Sequence, residues 1–199
     1  MDIRHVLMDV DGVIVPGRGP RFARYLNDHY GITETMTQSF FTGPFQACLV
    51  GEADLVSELP PFLQLWGWTK GVDAFRQEWF QSEHIVDEAV LAMMANLRRS
   101  GIGVYLATNQ EAYRTRYLLK EMGLHSRVDG VFASALVGHL KPARAYFDCV
   151  LNTIKDDPES VLLWDDSEPN VVQARRFGIH AELFRDADAF LAAMQRFIE

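Results

Sequence analysis

The sequence contains very little cysteine. Only Cys48 and Cys149 occur among 199 residues, and they lie far from each other along the chain. A disulfide framework or a cysteine-ligated metal site would need more cysteines at closer spacing, so both are excluded. We expect two reduced, buried thiols in a cytoplasmic protein.

Long apolar runs, internal repeats and an excess of positive charge are also missing. No uninterrupted apolar stretch is long enough to cross a bilayer, so no membrane span is predicted. The chain has 19 Lys and Arg against 27 Asp and Glu, a net charge of -8. Such a chain repels nucleic acid and anionic lipid, and neither is expected as a partner. The sequence is compatible with a monomer or a homodimer.

The sequence does contain short apolar runs that alternate with helical patterns. The runs are HVLMDV, GVYLAT, GVFAS, SVLLWDD and HAELF. Between and after them lie amphipathic segments, such as the one that begins at the acidic Asp87 and ends at Gly101. This alternation is typical of parallel strands joined by crossover helices. It predicts an α/β fold with a Rossmann-like open parallel sheet.

The alternation breaks between about residues 16 and 84, where aromatic residues are mixed into short helical patterns. The segment therefore predicts a helical insertion directly after the first strand. Loops after the carboxyl ends of parallel strands surround the ligand crevice of such sheets, so the insertion is expected to cover that crevice. Its aromatic residues favour a small core of their own over a pocket lining. They are Phe40, Phe41, Phe45, Trp66, Trp68 and Trp79.

Polar residues stand at the ends of the predicted strands or in the loops that follow them. They are Asp9 and Asp11, Thr108 and Asn109, Lys141, and Asp165 and Asp166. The carboxyl ends of parallel strands meet at one edge of a sheet, so we expect these side chains to converge there.

Each of these residues also has an ordinary local interpretation. The segment around Asp11 is typical of a β-hairpin, and the Thr-Asn pair after the second strand can cap a helix. Lys141 can be a surface residue before a turn, and the paired acids after the fourth strand can be solvated. None of these roles requires the residues to follow successive strands, so a shared site explains the set better.

A site of this composition favours a metal ion. Carboxylates gathered at one strand edge repel one another, and without a cation at least one is driven to protonate. The motifs offer oxygen ligands and no His or Cys, which selects a hard ion such as Mg²⁺ over zinc. Mg²⁺ commonly binds together with phosphate, so a small phosphorylated substrate is the expected partner.

These segments resemble the haloacid dehalogenase superfamily, and in particular its Mg²⁺-dependent phosphatase branch with a small helical cap. MDVDGVIV is similar to the first motif of that family, LATNQ to the second, GHLKPARAYFD to the third, and LLWDDSEPNVVQARRFGIHA to the fourth. The resemblance covers nearly the whole chain, with the motifs in the family's order. It implies a core domain at residues 1–15 and 85–199 and a helical cap domain at residues 16–84.

The resemblance implies a phosphatase that acts through an aspartyl-phosphate. Asp9 would attack phosphorus, and Asp11 would protonate the leaving oxygen and then activate water. Thr108 and Lys141 would hold the phosphoryl oxygens, while Asn109 would support the loop or bind substrate.

The same resemblance assigns the metal ligands. Asp165 and Asp166 would bind Mg²⁺ together with Asp9 and the backbone carbonyl of Asp11.

Two other functions remain as alternatives. A phosphosugar mutase of the β-phosphoglucomutase type would pass the phosphoryl group to a second hydroxyl instead of water. A non-catalytic phospho-ligand-binding protein would keep the fold without turnover. Arg18 and Arg21 could contact an anionic substrate, although solvated arginines are the commoner case, and His84 has no evident partner.

Overall fold

The computed structural model describes residues 2–17 and 21–197. Its centre is a parallel sheet of five strands in the order β3-β2-β1-β4-β5. The strands are β1 (His5–Met8), β2 (Gly103–Thr108), β3 (Gly130–Ala133), β4 (Val161–Asp165) and β5 (His180–Leu183). Each lies in one of the predicted apolar runs, so the predicted α/β fold with a Rossmann-like open parallel sheet is confirmed. The hairpin interpretation of the segment around Asp11 is wrong, because β1 pairs in parallel with both of its neighbours.

Helices occupy most of the rest of the described chain. The stretch after β1 contains α1 (Arg21–Tyr30), α2 (Glu34–Phe41), α3 (Pro44–Leu49), α4 (Leu55–Leu65) and α5 (Val72–Ser82). The later helices are α6 (Glu88–Arg99), α7 (Ala112–Lys120), α8 (Ser134–Val137), α9 (Arg144–Ile154), α10 (Glu168–Arg176) and α11 (Ala187–Gln195), with short 3₁₀ turns at Leu124–Ser126 and Pro158–Ser160. The predicted helix from Asp87 is α6, and the Asp87 side chain accepts hydrogen bonds from its first turn.

The central strands are apolar along their length because both faces of the sheet are covered. Successive side chains of a strand point to opposite faces. Val6 and Met8 therefore join one cluster, to which α6 and α11 contribute, and Leu7 joins a second, to which α9 and α10 contribute. Each such side chain stabilises the fold by about 1.5–3 kcal/mol.

Helices α1 to α5 share a separate hydrophobic cluster. Phe40, Trp66, Trp68 and Trp79 are buried in it, and the remaining predicted aromatics of this segment pack against it. The interpretation of these residues as a core is therefore confirmed, and Phe41 and Trp79 in addition border a cavity. The division of the chain into domains at residues 1–15 with 85–199 and 16–84 stays a prediction.

The described residues include no helix long and apolar enough to cross a membrane. Both cysteines are free thiols. Cys48 is buried as expected, whereas Cys149 is only partly buried. The cytoplasmic location and the choice between monomer and homodimer stay predictions.

Candidate active site

A tight turn after β1 carries the first two acids. The carbonyl oxygen of Val10 accepts hydrogen bonds from the main-chain N–H groups three, four and five residues further on, at 3.2, 2.9 and 2.8 Å. Gly12 has a φ of +82°, which residues with a side chain rarely adopt. Asp9 is buried, and its Oδ1 accepts a hydrogen bond from the N–H of Val10 at 2.7 Å. Asp11, one position beyond, is exposed.

Asp11 is held by a residue from the neighbouring strand end. The Nε2 of Gln110 donates to the Oδ2 of Asp11 at 2.5 Å. Gln110 is buried, and its main-chain N–H donates to the Oγ of Ser134, which is fully buried at the start of α8. Sequence reasoning missed both residues. Gln110 directly follows Asn109 in the second motif, so its place in the site could have been predicted from the sequence. Ser134 lies in none of the four motifs, and no sequence pattern indicates its role.

Lys141 is buried between two carboxylates. Its Nζ lies 3.1 Å from the Oδ1 of Asp9 and 2.6 Å from the Oδ2 of Asp165. Burial by itself would lower the pKa of Lys141, but the two carboxylates raise it above its usual value. The ammonium is therefore charged at neutral pH. The surface interpretation of Lys141 is wrong, because the residue is only 3% exposed.

Asn109 fixes the loop that carries Lys141. The Nδ2 of Asn109 donates to the main-chain carbonyl of Lys141 at 2.9 Å, and its Oδ1 accepts from the N–H of Lys141 at 2.8 Å. Thr108 lies buried at the end of β2. The helix-capping interpretation of this pair is wrong, because the side chain of Glu111 caps α7.

The paired acids after β4 have different surroundings. Asp165 is fully buried, and it accepts hydrogen bonds from the N–H of Ser167 at 2.9 Å and from the Nδ2 of Asn170 at 3.0 and 3.1 Å. The solvated interpretation is therefore wrong for Asp165. Asp166 is half-buried, and its carboxylate lies directly against Gly12. Asn170 was missed because an Asn in the first turn of a helix is common on sequence grounds.

Three of the acids form a group that fits a cation. Carboxylate oxygens of Asp9, Asp165 and Asp166 lie within 4.8 Å of one another. Burial raises the pKa of Asp9 to about 7, against the lowering effect of Lys141, and the carboxylates of Asp165 and Asp11 raise it further. A nearby divalent ion would relieve this repulsion. The side chain of Asp11 lies outside the group and contacts Gln110 instead.

The predicted residues open onto one cavity of about 420 Å³. Six of the seven predicted side chains line it: Asp9, Asp11, Thr108, Asn109, Lys141 and Asp166. The seventh, Asp165, lies behind them and contacts Lys141. The expected convergence at the carboxyl ends of the strands is therefore observed.

Three other residues were considered from the sequence: Arg18, Arg21 and His84. Arg18 falls outside the described residues. The Nδ1 of His84 lies 2.7 Å from the hydroxyl of Tyr117, a partner that the sequence did not reveal.

The chain is similar to known hydrolases in sequence and in structure. A sesquiterpene phosphatase from Aspergillus oryzae is 31% identical over 96 residues, which cover 47% of this chain and 47% of that protein. The chain thus matches about half the length of this relative.

Two solved structures share the fold. One is a predicted HAD-like family hydrolase from Porphyromonas gingivalis, with a TM-score of 0.81, 19% identity, and coverage of 100% of this chain and 99% of the other. The second is a HAD family enzyme from Bacteroides thetaiotaomicron in complex with magnesium and inorganic phosphate, with a TM-score of 0.79, 19% identity, and coverage of 92% and 94%. At this identity the two structures establish the fold alone.

The family model of the haloacid dehalogenase-like hydrolases matches residues 3–178, which is most of the chain and includes the first three predicted motifs and the fourth as far as Gly178. This protein therefore belongs to the haloacid dehalogenase-like hydrolases.

Proposed function

We propose that this protein is a Mg²⁺-dependent phosphatase that hydrolyses a small phosphorylated metabolite through an aspartyl-phosphate at Asp9. The observation that carries the proposal is the position of Asp9. Its carboxylate lies 3.1 Å from the ammonium of Lys141, in a group with Asp165 and Asp166, and it opens onto the cavity that Asp11 also lines. A nucleophile, a cation for the phosphoryl oxygens and a second acid are thus together.

The carboxylates of Asp9, Asp165 and Asp166, together with the backbone carbonyl of Asp11, would hold Mg²⁺. Their oxygen atoms are the ligands that this ion prefers, and their grouping supports such a site. Bound there, Mg²⁺ would offset the negative charge of the phosphoryl group and of the attacking carboxylate. The Bacteroides thetaiotaomicron enzyme, crystallised with magnesium and inorganic phosphate, supports this choice.

In the first step, an oxygen of Asp9 attacks phosphorus. A bond from Asp9 to phosphorus forms, and the bond from phosphorus to the ester oxygen breaks. Asp11 donates its proton to that leaving oxygen, so the alcohol departs neutral. Lys141 and the Thr108 hydroxyl stabilise the phosphoryl oxygens as their charge develops.

In the second step, water attacks phosphorus and gives a proton to the carboxylate of Asp11. The bond between phosphorus and Asp9 breaks, inorganic phosphate leaves, and both acids return to their starting states. Asn109 positions Lys141 through its two hydrogen bonds to the main chain of that residue. Asp165 orients the Lys141 ammonium through a contact of 2.6 Å.

Asp11 favours phosphate chemistry over dehalogenation within this family. Displacement of a halide needs no proton on the leaving group, whereas an alkoxide leaves far more readily when an acid protonates it. The sesquiterpene phosphatase of Aspergillus oryzae supports the same choice.

The test is hydrolysis of p-nitrophenyl phosphate with and without Mg²⁺, in the wild type and in Asp9→Asn. We expect metal-dependent release of phosphate that falls by at least about 10³-fold in Asp9→Asn, because an amide cannot form the intermediate. Asp28→Asn, an exposed change in α1, is the matched control and should keep wild-type rates. Absence of turnover would favour the phospho-ligand-binding alternative, and isomerisation of a sugar phosphate without net hydrolysis would favour the mutase.

A further inference from the structure

A second cavity of about 500 Å³ lies among helices α1, α2 and α5. Its size falls within the range of sites for small organic ligands. We call it the helical cavity and define it by Phe22, Phe41 and Trp79 on its wall, Glu34 and Gln38 on α2, and Glu83 just after α5.

The wall of the helical cavity is aromatic. The rings of Phe22 and Trp79 stack with centroids 5.3 Å apart and planes 9° apart. Phe41 meets Trp79 edge to face at 5.4 Å. Rings that are locked against one another present a rigid apolar surface, which a hydrocarbon ligand covers at little cost in side-chain entropy.

Several polar groups of this lining already have partners within the protein. The hydroxyl of Thr37 donates to the carbonyl of Glu34 at 3.1 Å, and that of Thr42 donates to the carbonyl of Gln38 at 2.8 Å. The side chain of Trp79 hydrogen-bonds to Glu83. A ligand rich in hydroxyl groups would therefore meet the polar side chains of Glu34, Thr35 and Gln38 only at the exposed rim, and hydroxyls buried against the aromatic wall would be left unpaired.

The charges of the lining disfavour an anionic ligand. Among the described residues, Glu34 and Glu83 line the cavity and no Lys or Arg does. The carboxylate of Glu34 would repel a second phosphate or a carboxylate, and the described lining offers no basic side chain to bind one. The carboxylate of Glu83 already lies 3.6 Å from the buried guanidinium of Arg114, so a cation would have Glu34 as its carboxylate partner, a case that phosphocholine covers in the test below.

The helical cavity adjoins the candidate active site. Gly17 lines the active-site cavity. The guanidinium of Arg21 packs against Gly17, since its nearest nitrogen would lie 2.6 Å from a Cβ added at that position. The next residue along the chain, Phe22, lines the helical cavity. Glu83 is also near enough to Asp11 for the two carboxylates to repel.

We propose that the helical cavity binds the alcohol portion of the substrate, and that this alcohol is uncharged and mainly apolar, with an aromatic or alicyclic hydrocarbon body. The proposal rests on the phosphatase function given above. It assigns specificity to the aromatic wall of Phe22, Phe41 and Trp79.

The test compares three primary alkyl phosphates of similar intrinsic reactivity: 2-phenylethyl phosphate, glucose 6-phosphate and phosphocholine. Acetyl phosphate serves as a probe whose small acyl group we expect to cover little of the helical cavity. We expect kcat/KM for 2-phenylethyl phosphate to exceed both other esters by at least about 10-fold.

A bulky change at the rim tests the site without disturbing the aromatic core. Gln38→Trp, at an exposed position that lines the cavity, should lower kcat/KM for 2-phenylethyl phosphate by at least about 10-fold and leave acetyl phosphate hydrolysis unchanged. Ser39→Trp, at the next exposed position of α2 and outside the lining, should change neither.

The outcomes separate the two proposals. If wild-type protein with Mg²⁺ hydrolyses acetyl phosphate but prefers glucose 6-phosphate or phosphocholine, the assignment of the helical cavity is wrong and the phosphatase function stands. An unchanged rate for 2-phenylethyl phosphate in Gln38→Trp leads to the same conclusion. If wild-type protein hydrolyses none of the compounds, the phosphatase function itself is wrong.

Discussion

The side chain of Asn109 and the main chain of Lys141 form two reciprocal hydrogen bonds, of 2.9 and 2.8 Å, across 32 positions of sequence. Asn109→Ala removes both and leaves a partly buried N–H and carbonyl of Lys141 without their partners. We expect a loss of about 1–3 kcal/mol in the free energy of unfolding. We also expect a fall in kcat/KM of about 10- to 100-fold, because the ammonium loses its fixed position.

Urea unfolding and steady-state kinetics with p-nitrophenyl phosphate check this prediction. Asn152→Ala, on the exposed surface of α9, is the matched control. If Asn109→Ala loses stability but keeps full kcat/KM, Asn109 does not position Lys141.

Gly12 and Gly67 form a natural pair for testing the turn after β1. Both have positive φ, +82° and +72°, so an alanine strains the backbone at either position by about 1–2 kcal/mol. A Cβ at Gly12 would also collide with the carboxylate of Asp166, whereas a Cβ at Gly67 would meet open space. We expect Gly12→Ala to lower phosphatase activity by at least about 10-fold and Gly67→Ala to leave it unchanged.

Thermal unfolding measured beside the kinetics separates strain from the collision. Similar stability losses with an activity loss confined to Gly12→Ala are expected. Equal activity in the two variants would show that Asp166 tolerates displacement.

Magnesium should stabilise the protein through the acid group of Asp9, Asp165 and Asp166. At 100 times its dissociation constant, a ligand that binds the folded state alone adds about 2.7 kcal/mol to the free energy of unfolding. We expect the Mg²⁺-dependent rise in Tm to be largely lost in Asp166→Asn and kept in Asp28→Asn. Calorimetric titration with Mg²⁺ provides the second measurement, and an undiminished affinity in Asp166→Asn would contradict the proposed ligand set.

Glu83 makes stability depend on pH. Burial raises the pKa of Glu83 from 4.5 to about 7, and the negative charge of Asp11 adds to the rise. The positive charges of Arg114 and Arg21 oppose it. The folded protein therefore holds this proton to a higher pH than the unfolded chain does. The contribution of protonated Glu83 to the free energy of unfolding is complete below about pH 4.5 and is lost as pH rises through about 7.

Replacing Glu83 by Gln removes this titration. We expect the free energy of unfolding of the wild type, relative to Glu83→Gln, to fall by up to about 3 kcal/mol between pH 4.5 and pH 7.5. Urea unfolding across this pH range checks the difference, and carbon NMR of the Glu83 carboxyl group gives its pKa directly. Parallel pH profiles for the two proteins would contradict the prediction.

The order of strands and helices was predictable from the sequence because periodicity is a local property. A run such as GVYLAT needs burial on both faces, and the acidic start and glycine end of α6 are readable without a fold. The placement of Asp9, Thr108 and Lys141 on one rim then follows from the rule that parallel strands bring their carboxyl ends together. The sequence by itself therefore determined the α/β fold and the seven residues first assigned to the candidate site, but not Gln110, Ser134 or Asn170.

Only the tertiary structure decided which of these side chains contact one another. Gln110 reaches Asp11 across 99 positions of sequence, and Lys141 reaches Asp165 across 24. Nothing local marks such pairs, because each residue type is also common in loops and caps. The difference between buried Asp165 and half-buried Asp166, adjacent and chemically identical, likewise depends on how β4 and α10 pack. The helical cavity has the same origin, since its aromatic wall joins α1 and α2 to α5, and packing alone sets how these helices meet.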